Sequence, residues 1–345
     1  IKEDFVVLLC DVFIDFDFQK MFIFHRENNA VVRLLTHANG HPYDSDLVVE
    51  KDNVVTSFDH KTNDRTKYYY KNLVNAGIMI FSPRVFDYIK ELKKYSYEKD
   101  IVDPLIKEGR VLSYKSSEYA KDMGTVERYA KVQEDYNSGI CSQKNLSKKQ
   151  KAIFLDRDGT INEYVGFLKD TKDFKLLPGV SEAIKKINDS GYLAIVITNQ
   201  PVVARGEVSF EKLDMIHKKM ETLLGMGGAY LDDIYYCPHH PDKGFDGEIP
   251  ELKIKCDCRK PNIGLVKKAA LEHNIDLNNS IMIGDTTLDI KMAENAGMES
   301  ILVETGQAGL DGKYKVDPTY VAEDLMHAVD IILKSKKRGR WNCRF

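Results

Sequence analysis

The stretch Ile153-Phe154-Leu155-Asp156-Arg157-Asp158-Gly159-Thr160 decides the reading of this chain. Ile153 to Leu155 read as the end of a short buried strand, and two carboxylates spaced i and i+2 follow before Gly159 and Thr160 turn the chain. In a strand, i and i+2 point the same way, so Asp156 and Asp158 leave the C-terminal edge together. In open α/β sheets that edge is where ligands bind. Two like charges so close are costly unless a cation sits between them. Taken alone, the stretch also fits an acidic turn without chemistry.

Outward from it, apolar strands and helical stripes alternate. Ala152–Leu155 is the first strand, and Gly179–Ser190 is a helix with Val180, Ala183, Ile184 and Ile187 on one face. Leu193–Ile197 is a strand ending in Thr198-Asn199-Gln200, and Phe210–Leu224 is a helix. Ile263–His273 is another helix, Ser280–Ile283 a strand ending in Gly284-Asp285, Leu288–Ala296 a helix, and Glu299–Val303 the last strand. Such strands are apolar enough to be covered on both faces. Their ends carry polar chemistry in order: Asp156/Asp158, Thr198, Lys260, Asp285/Asp289.

That order resembles the haloacid dehalogenase-type phosphatases: D-x-D-G-T, a hydroxyl, a Lys, and G-D-x-x-x-D. The resemblance covers the whole second half and implies a capless Rossmannoid domain with a catalytic set of Asp156, Asp158, Thr198 and Lys260. Asp156 would attack phosphorus and form an aspartyl-phosphate, and Asp158 would serve as general acid, then base. Mg²⁺ would be held by Asp156, Asp158 (through its backbone carbonyl) and Asp285. Thr198 and Lys260 would hold the phosphoryl oxygens, with Asp289 supporting the site.

Cysteines give the second signal. Cys10, Cys141 and Cys343 stand alone, while Cys237, Cys256 and Cys258 cluster with His239 and His240. Three thiolates and an imidazole suit a tetrahedral Zn²⁺ site rather than a disulfide framework, and a reducing cytoplasm is the natural compartment. The segments Tyr235-Tyr236-Cys237-Pro238-His239-His240-Pro241 and Cys256-Asp257-Cys258-Arg259-Lys260-Pro261 resemble the zinc-containing branch of heptose 1,7-bisphosphate phosphatases. So does Thr198-Asn199-Gln200 with Ala204-Arg205-Gly206, although Pro201-Val202-Val203 replaces the usual Ser-Gly-Ile. The resemblance selects His239 as the fourth zinc ligand. It implies that Asn199, Gln200, Arg205 and Arg259 bind a sugar phosphate, Arg through its bidentate fork. Histidinol-phosphate phosphatases share these features and are the alternative.

In the first half, Phe5–Leu9 is an apolar strand ending in Cys10-Asp11. Ala30–Thr36, Val54–Phe58 and Ala76–Phe81 are further strand-like stretches, and Val85–Leu92 has helical spacing. The alternation predicts a second doubly wound α/β domain. Cys10-Asp11, Asn72-Leu73-Val74-Asn75-Ala76-Gly77-Ile78 and Asp122-Met123-Gly124-Thr125 resemble the later part of the sugar-1-phosphate nucleotidyltransferases. By that resemblance Asp11 and Asp122 would hold Mg²⁺ and Asn75 the sugar. That family's Gly-rich triphosphate loop is not among these residues, and its Glu-Lys-Pro appears as His60-Lys61-Thr62. The expectation is a partial Rossmann-type domain, inactive as a transferase or serving as a scaffold.

The whole is read as a partial nucleotidyltransferase-like domain over 1–139, a polar linker over 140–150, a phosphatase domain over 151–335 and a basic tail over 336–345. A phosphatase that leaves a sugar 1-phosphate supplies the substrate class of a nucleotidyltransferase. With 345 residues and a net charge of −3, there is room for two cores and no general affinity for nucleic acid. No apolar run approaches the roughly 20 residues that span a bilayer. The N-terminus, Ile1-Lys2-Glu3-Asp4, has no signal-like core and suggests a truncated or processed chain.

Overall fold

Asp156 and Asp285 directly follow neighbouring parallel strands, and the sheet explains why. The structure is a computed structural model describing residues 1–28, 30–91 and 93–337. The chain divides into two units, one of residues 1–67 and 71–148, the other of 68–70 and 149 onward.

In the first unit the strands are β1 (Phe5–Leu8), β2 (Val12–Asp15), β3 (Val32–His37), β4 (Leu47–Lys51), β5 (Val54–Asp59), β6 (Val74–Phe81), β7 (Val111–Lys115) and β8 (Tyr119–Asp122). The helices are α1 (Phe18–Glu27), α2 (Asp103–Lys107), α3 (Val126–Asn137) and α4 (Ile140–Gln143). Six strands form one sheet in the order β1-β6-β3-β7-β5-β4, and β2 pairs with β8 separately. Among the described residues only β3 and β7 run parallel, so this α/β unit departs from the parallel sheet that a doubly wound domain implies. One cause is local. Asp52 and Asn53 both have positive φ, the two-residue turn that closes a tight hairpin, which forces β4 and β5 antiparallel. The helical spacing from Val85 falls instead on a 3₁₀ turn, Pro83–Tyr88; Leu92 lies outside the described residues. The stretch read as a linker is largely folded: Cys141, Lys144 and Leu146 are buried, and the Leu146 amide donates to Glu118 at 2.9 Å.

In the second unit the strands are β9 (Ala152–Leu155), β10 (Leu193–Asn199), β11 (Asp233–Cys237), β12 (Ile281–Gly284), β13 (Glu299–Val303) and β14 (Tyr320–Ala322). The helices are α5 (Val180–Asn188), α6 (Phe210–Met226), α7 (Gly264–Glu272), α8 (Thr287–Ala296) and α9 (Leu325–Lys337). Every pairing is parallel, in the order β11-β10-β9-β12-β13-β14. Counted from β9 this is 3-2-1-4-5-6, the doubly wound order whose switch point lies between the first and fourth strands. Those strands are β9 and β12.

Two cores cover the sheet, as strand alternation requires. Ile153, Leu155, Val196, Ile283 and Ile301 pack with Ile184, Ile216 and Val329. Ala152, Phe154, Ile195, Ile197 and Met282 pack on the other face with Val266 and Met292. Glu299–Val303 is not the last strand: β14 adds beside β13, too short at three residues to give a periodic signal. Of the tail, residues 338–345 lie outside the described residues, Trp341 and Cys343 among them.

Candidate active site

The paired carboxylates of the D-x-D motif take different neighbours. Asp156 Oδ1 accepts from Lys260 Nζ at 2.7 Å, and Oδ2 accepts from no described residue. Lys260 Nζ also donates to Ile197 O at 2.9 Å and Asp289 Oδ1 at 2.6 Å. Asp289 has no exposed surface. Its second oxygen accepts from the Thr286 amide (3.1 Å) and hydroxyl (2.6 Å), closing a capping box at the start of α8. Both Asp289 oxygens are thereby spoken for, and it braces Lys260.

Asp285 is fully buried. Its Oδ2 accepts from the Gln307 amide at 2.7 Å, while its Oδ1 is buried with no partner. Burial, with Asp156 and Asp289 nearby, pushes its carboxyl up to about 8. Burial likewise raises Asp156 to about 6, against the pull of Lys260. Burial disfavours the charged form of Lys260, but the two carboxylates outweigh it and hold the ammonium above its ordinary value. Ligand oxygens of Asp156, Asp285 and Asp289 lie within 4.8 Å of one another. A buried carboxylate oxygen without a partner, facing a second carboxylate, fits a hard divalent cation.

Asp158 stands in a cage of its own. Arg157, between the two carboxylates and without exposed surface, donates to Asp158 Oδ2 at 2.7 Å. Asn162 donates to Oδ1 at 3.0 Å and Gln200 to Oδ2 at 2.9 Å. Burial would raise the Asp158 carboxyl, but Arg157 and these donors hold it below its ordinary value. Sequence reasoning passed over Arg157, Asn162 and the His217 ring 3.2 Å from Arg157. Arg157 was legible in principle, because a charged residue flanked by buried positions needs a partner.

Thr198 and Asn199 end β10. Asn199 Oδ1 accepts from the Lys260 amide at 3.0 Å and its amide donates to Lys260 O at 3.3 Å. This side chain grips the Lys260 backbone. Arg205 lies between the rings of Phe167 (4.0 Å) and Phe245 (4.4 Å), and reaches His240 Nε2 at 3.3 Å. Arg259 donates to His239 O at 3.2 Å.

Cys237, His239, Cys256 and Cys258 bring their ligand atoms within 4.8 Å of one another. Sulfur–sulfur separations are 3.2 to 3.5 Å, and His239 Nδ1 lies 3.2 Å from Cys258 Sγ and 3.7 Å from Cys237 Sγ. Four soft donors at such separations fit a tetrahedral ion with bonds of about 2.0–2.3 Å. His240 turns to Arg205 and Asp242 instead. The thiols are free of disulfides, and burial raises Cys237 above its ordinary value and Cys258 to about 11.

In the first unit, Asp11 accepts the Met123 amide on its backbone carbonyl at 2.7 Å. The Asp122 carboxylate accepts from Arg128 at 2.8 Å and has His41 at 3.9 Å. Asn75 Oδ1 accepts from the Gly77 amide at 3.1 Å.

A strand end carrying two carboxylates, a buried lysine and a further acid at the switch point fit a phosphatase of the haloacid dehalogenase type. A family model described as "HAD-hyrolase-like" matches residues 257–328, and a "Nucleotidyl transferase" model matches residues 1–139. The chain is 39% identical over 192 residues to the D-glycero-D-manno-heptose-1,7-bisphosphate 7-phosphatase of Thermosynechococcus vestitus, covering 52% of this chain and 94% of that protein. It is 42% identical over 171 residues to the D-glycero-beta-D-manno-heptose-1,7-bisphosphate 7-phosphatase of Haemophilus ducreyi, covering 49% and 91%. Among solved structures, a D,D-heptose 1,7-bisphosphate phosphatase from B. bronchiseptica complexed with magnesium and phosphate matches at 33% identity and a TM-score of 0.48, covering 54% of this chain and 99% of that one. The chain belongs to the heptose-1,7-bisphosphate 7-phosphatase family and is a phosphoric monoester hydrolase, preceded by a nucleotidyltransferase-type domain.

Proposed function

We propose that the second unit removes the 7-phosphate of D-glycero-D-manno-heptose 1,7-bisphosphate through an aspartyl-phosphate on Asp156. One observation carries this reading: Asp156 stands at the switch point with Oδ1 held by Lys260 and Oδ2 left for attack. Attack by Oδ2 forms the O–P bond as the bond to the sugar oxygen breaks, and Asp158 gives that oxygen a proton. The cage around Asp158 favours its ionised form until the substrate phosphate arrives. A phosphate dianion nearby raises its affinity for a proton. In the second half, Asp158 takes the proton from the water that releases inorganic phosphate. Thr198 donates to a phosphoryl oxygen, Lys260 holds Asp156 and sets its positive charge beside the phosphoryl group, and Arg205 and Arg259 take the distal phosphate or hydroxyls of the sugar.

Mg²⁺ fits beside Asp156 and the unpartnered Asp285 Oδ1, with the Asp158 carbonyl, and when bound would offset the repulsion between carboxylate and phosphate. Zn²⁺ fits the cage of Cys237, His239, Cys256 and Cys258 and would hold the loop that presents Arg259 and Lys260. Residues 156–179, which lead from β9 to α5, hold a 3₁₀ turn and isolated bridges among the described residues, which supports a capless domain. Reduced thiols favour a cytoplasmic enzyme. We read the first unit as a nucleotidyltransferase-type domain without transferase activity, because Arg128 occupies the carboxylate of Asp122.

The test is phosphate release with Mg²⁺, comparing the heptose bisphosphate with histidinol phosphate. Preference for the heptose substrate, abolished by Asp156→Asn, is expected; preference for histidinol phosphate would replace the sugar assignment and leave the chemistry.

A further inference from the structure

Thr198 is a buried hydroxyl at the end of β10, and its hydrogen-bond direction is set by a neighbour. β10 pairs Val196 with Leu155, so Thr198 reaches the sheet edge where Asp156 stands, with 1% of its surface exposed. Gln200, two residues on and 2% exposed, donates from Nε2 to Thr198 Oγ1 at 2.9 Å and to Asp158 Oδ2 at 2.9 Å. Its Oε1 accepts from Arg157 Nη2 at 2.9 Å. The amide has one workable orientation. Arg157 offers only donors and must face Oε1, whereas a carboxylate must face Nε2. Thr198 therefore receives a hydrogen bond from Gln200, and its single O–H hydrogen cannot be spent on that contact. Among the described residues Thr198 donates to no other group. The backbone amide of Gln200 is itself fixed, donating to Cys237 O at 2.8 Å.

We infer that Gln200 is a positioning residue that makes Thr198 an obligate donor to the transferring phosphoryl group and joins it to the general acid Asp158. The role rests on the reading of Thr198 as a phosphoryl contact. Charge grows on the phosphoryl oxygens and leaving group during transfer, where a pre-aimed donor is worth most. A glutamine that merely touched the sugar would be needed for binding and not for the chemical step. Here the side chain has both ends engaged inside the protein.

The experiment uses the full chain with Mg²⁺ and measures kcat and KM for the heptose bisphosphate and for p-nitrophenyl phosphate, which lacks the sugar. Gln200→Glu keeps the size but reverses the polarity, so the Thr198 proton turns toward the new carboxylate and the hydrogen bond to Asp158 is replaced by repulsion. A fall in kcat of about 10²-fold is expected on both substrates, with KM changed less than about threefold. Gln200→Met, which neither donates nor accepts, is expected to lose less, about tenfold. Thr198→Val should lose as much as Gln200→Glu, and the double variant Thr198→Val/Gln200→Met no more than Thr198→Val alone, within about threefold, because the two act as a unit. Multiplicative losses, or a rise in KM for the heptose bisphosphate only, would overturn the inference. Full kcat in Thr198→Val would instead remove the phosphoryl contact on which it rests. Melting curves accompany each variant. Should Gln200→Glu fail to fold, the Gln200→Met and Thr198→Val pair decides by the same additivity.

Discussion

Gly159 follows the second carboxylate with φ at +88°, and a Cβ there would lie 2.2 Å from Asp285 Oδ2. The glycine lets the first strand's turn press against the acid of the fourth, and the Thr305 hydroxyl ties the same turn down by donating to Gly159 O at 2.6 Å. Gly159→Ala combines a backbone conformation costing about 1–2 kcal/mol with displacement of Asp285. We expect at least a 100-fold loss of kcat and a lower melting temperature. Gly166, at φ +75° with nothing within 4 Å of its would-be Cβ, is the control. Gly166→Ala should lower the melting temperature alone, and equal kcat in the two variants would show that the turn does not hold Asp285. The acids, the lysine and the glycine were legible as a spaced motif. The pairing of Asp156 with Lys260 was not, because it depends on side chains 104 residues apart meeting at one strand end.

At the scale of elements, β10 and the cysteine loop act together. Gln200 hangs from Cys237 O, Asn199 grips the Lys260 backbone, and Lys260 follows Cys258 by two residues. We expect one Zn²⁺ per chain by elemental analysis. Its removal by a chelator should lower the melting temperature by several degrees and kcat by tenfold or more, both restored by Zn²⁺; Cys258→Ser should behave as the chelated protein. Unchanged kcat in zinc-free protein would refute the coupling. The sequence reading assigned no strand before Cys237, yet Cys237 ends the parallel strand β11. That strand's half-buried pattern mixes Asp, Tyr and Cys and so lacks a continuous apolar run.

At the scale of the molecule, two α/β units share one chain and differ in sheet type. The first matches a nucleotidyl transferase model over residues 1–139, but Asp122 is bonded to Arg128 rather than left open. The chain of residues 1–345 given Mg²⁺, nucleoside triphosphates and a sugar 1-phosphate should release no pyrophosphate above background, while hydrolysing the bisphosphate. Nucleotide-sugar formation would reverse that reading. What the amino-acid order alone determined was the chemistry on offer, since carboxylate, hydroxyl, lysine and thiol at strand ends are matters of residue type and spacing, which local periodicity makes visible. Tertiary structure alone decided the partners: Lys260 against Asp156, Gln200 beneath Thr198, a mixed sheet in the first unit. Those choices rest on long-range packing and on which donors meet which acceptors, and neither is encoded in any short stretch of the chain.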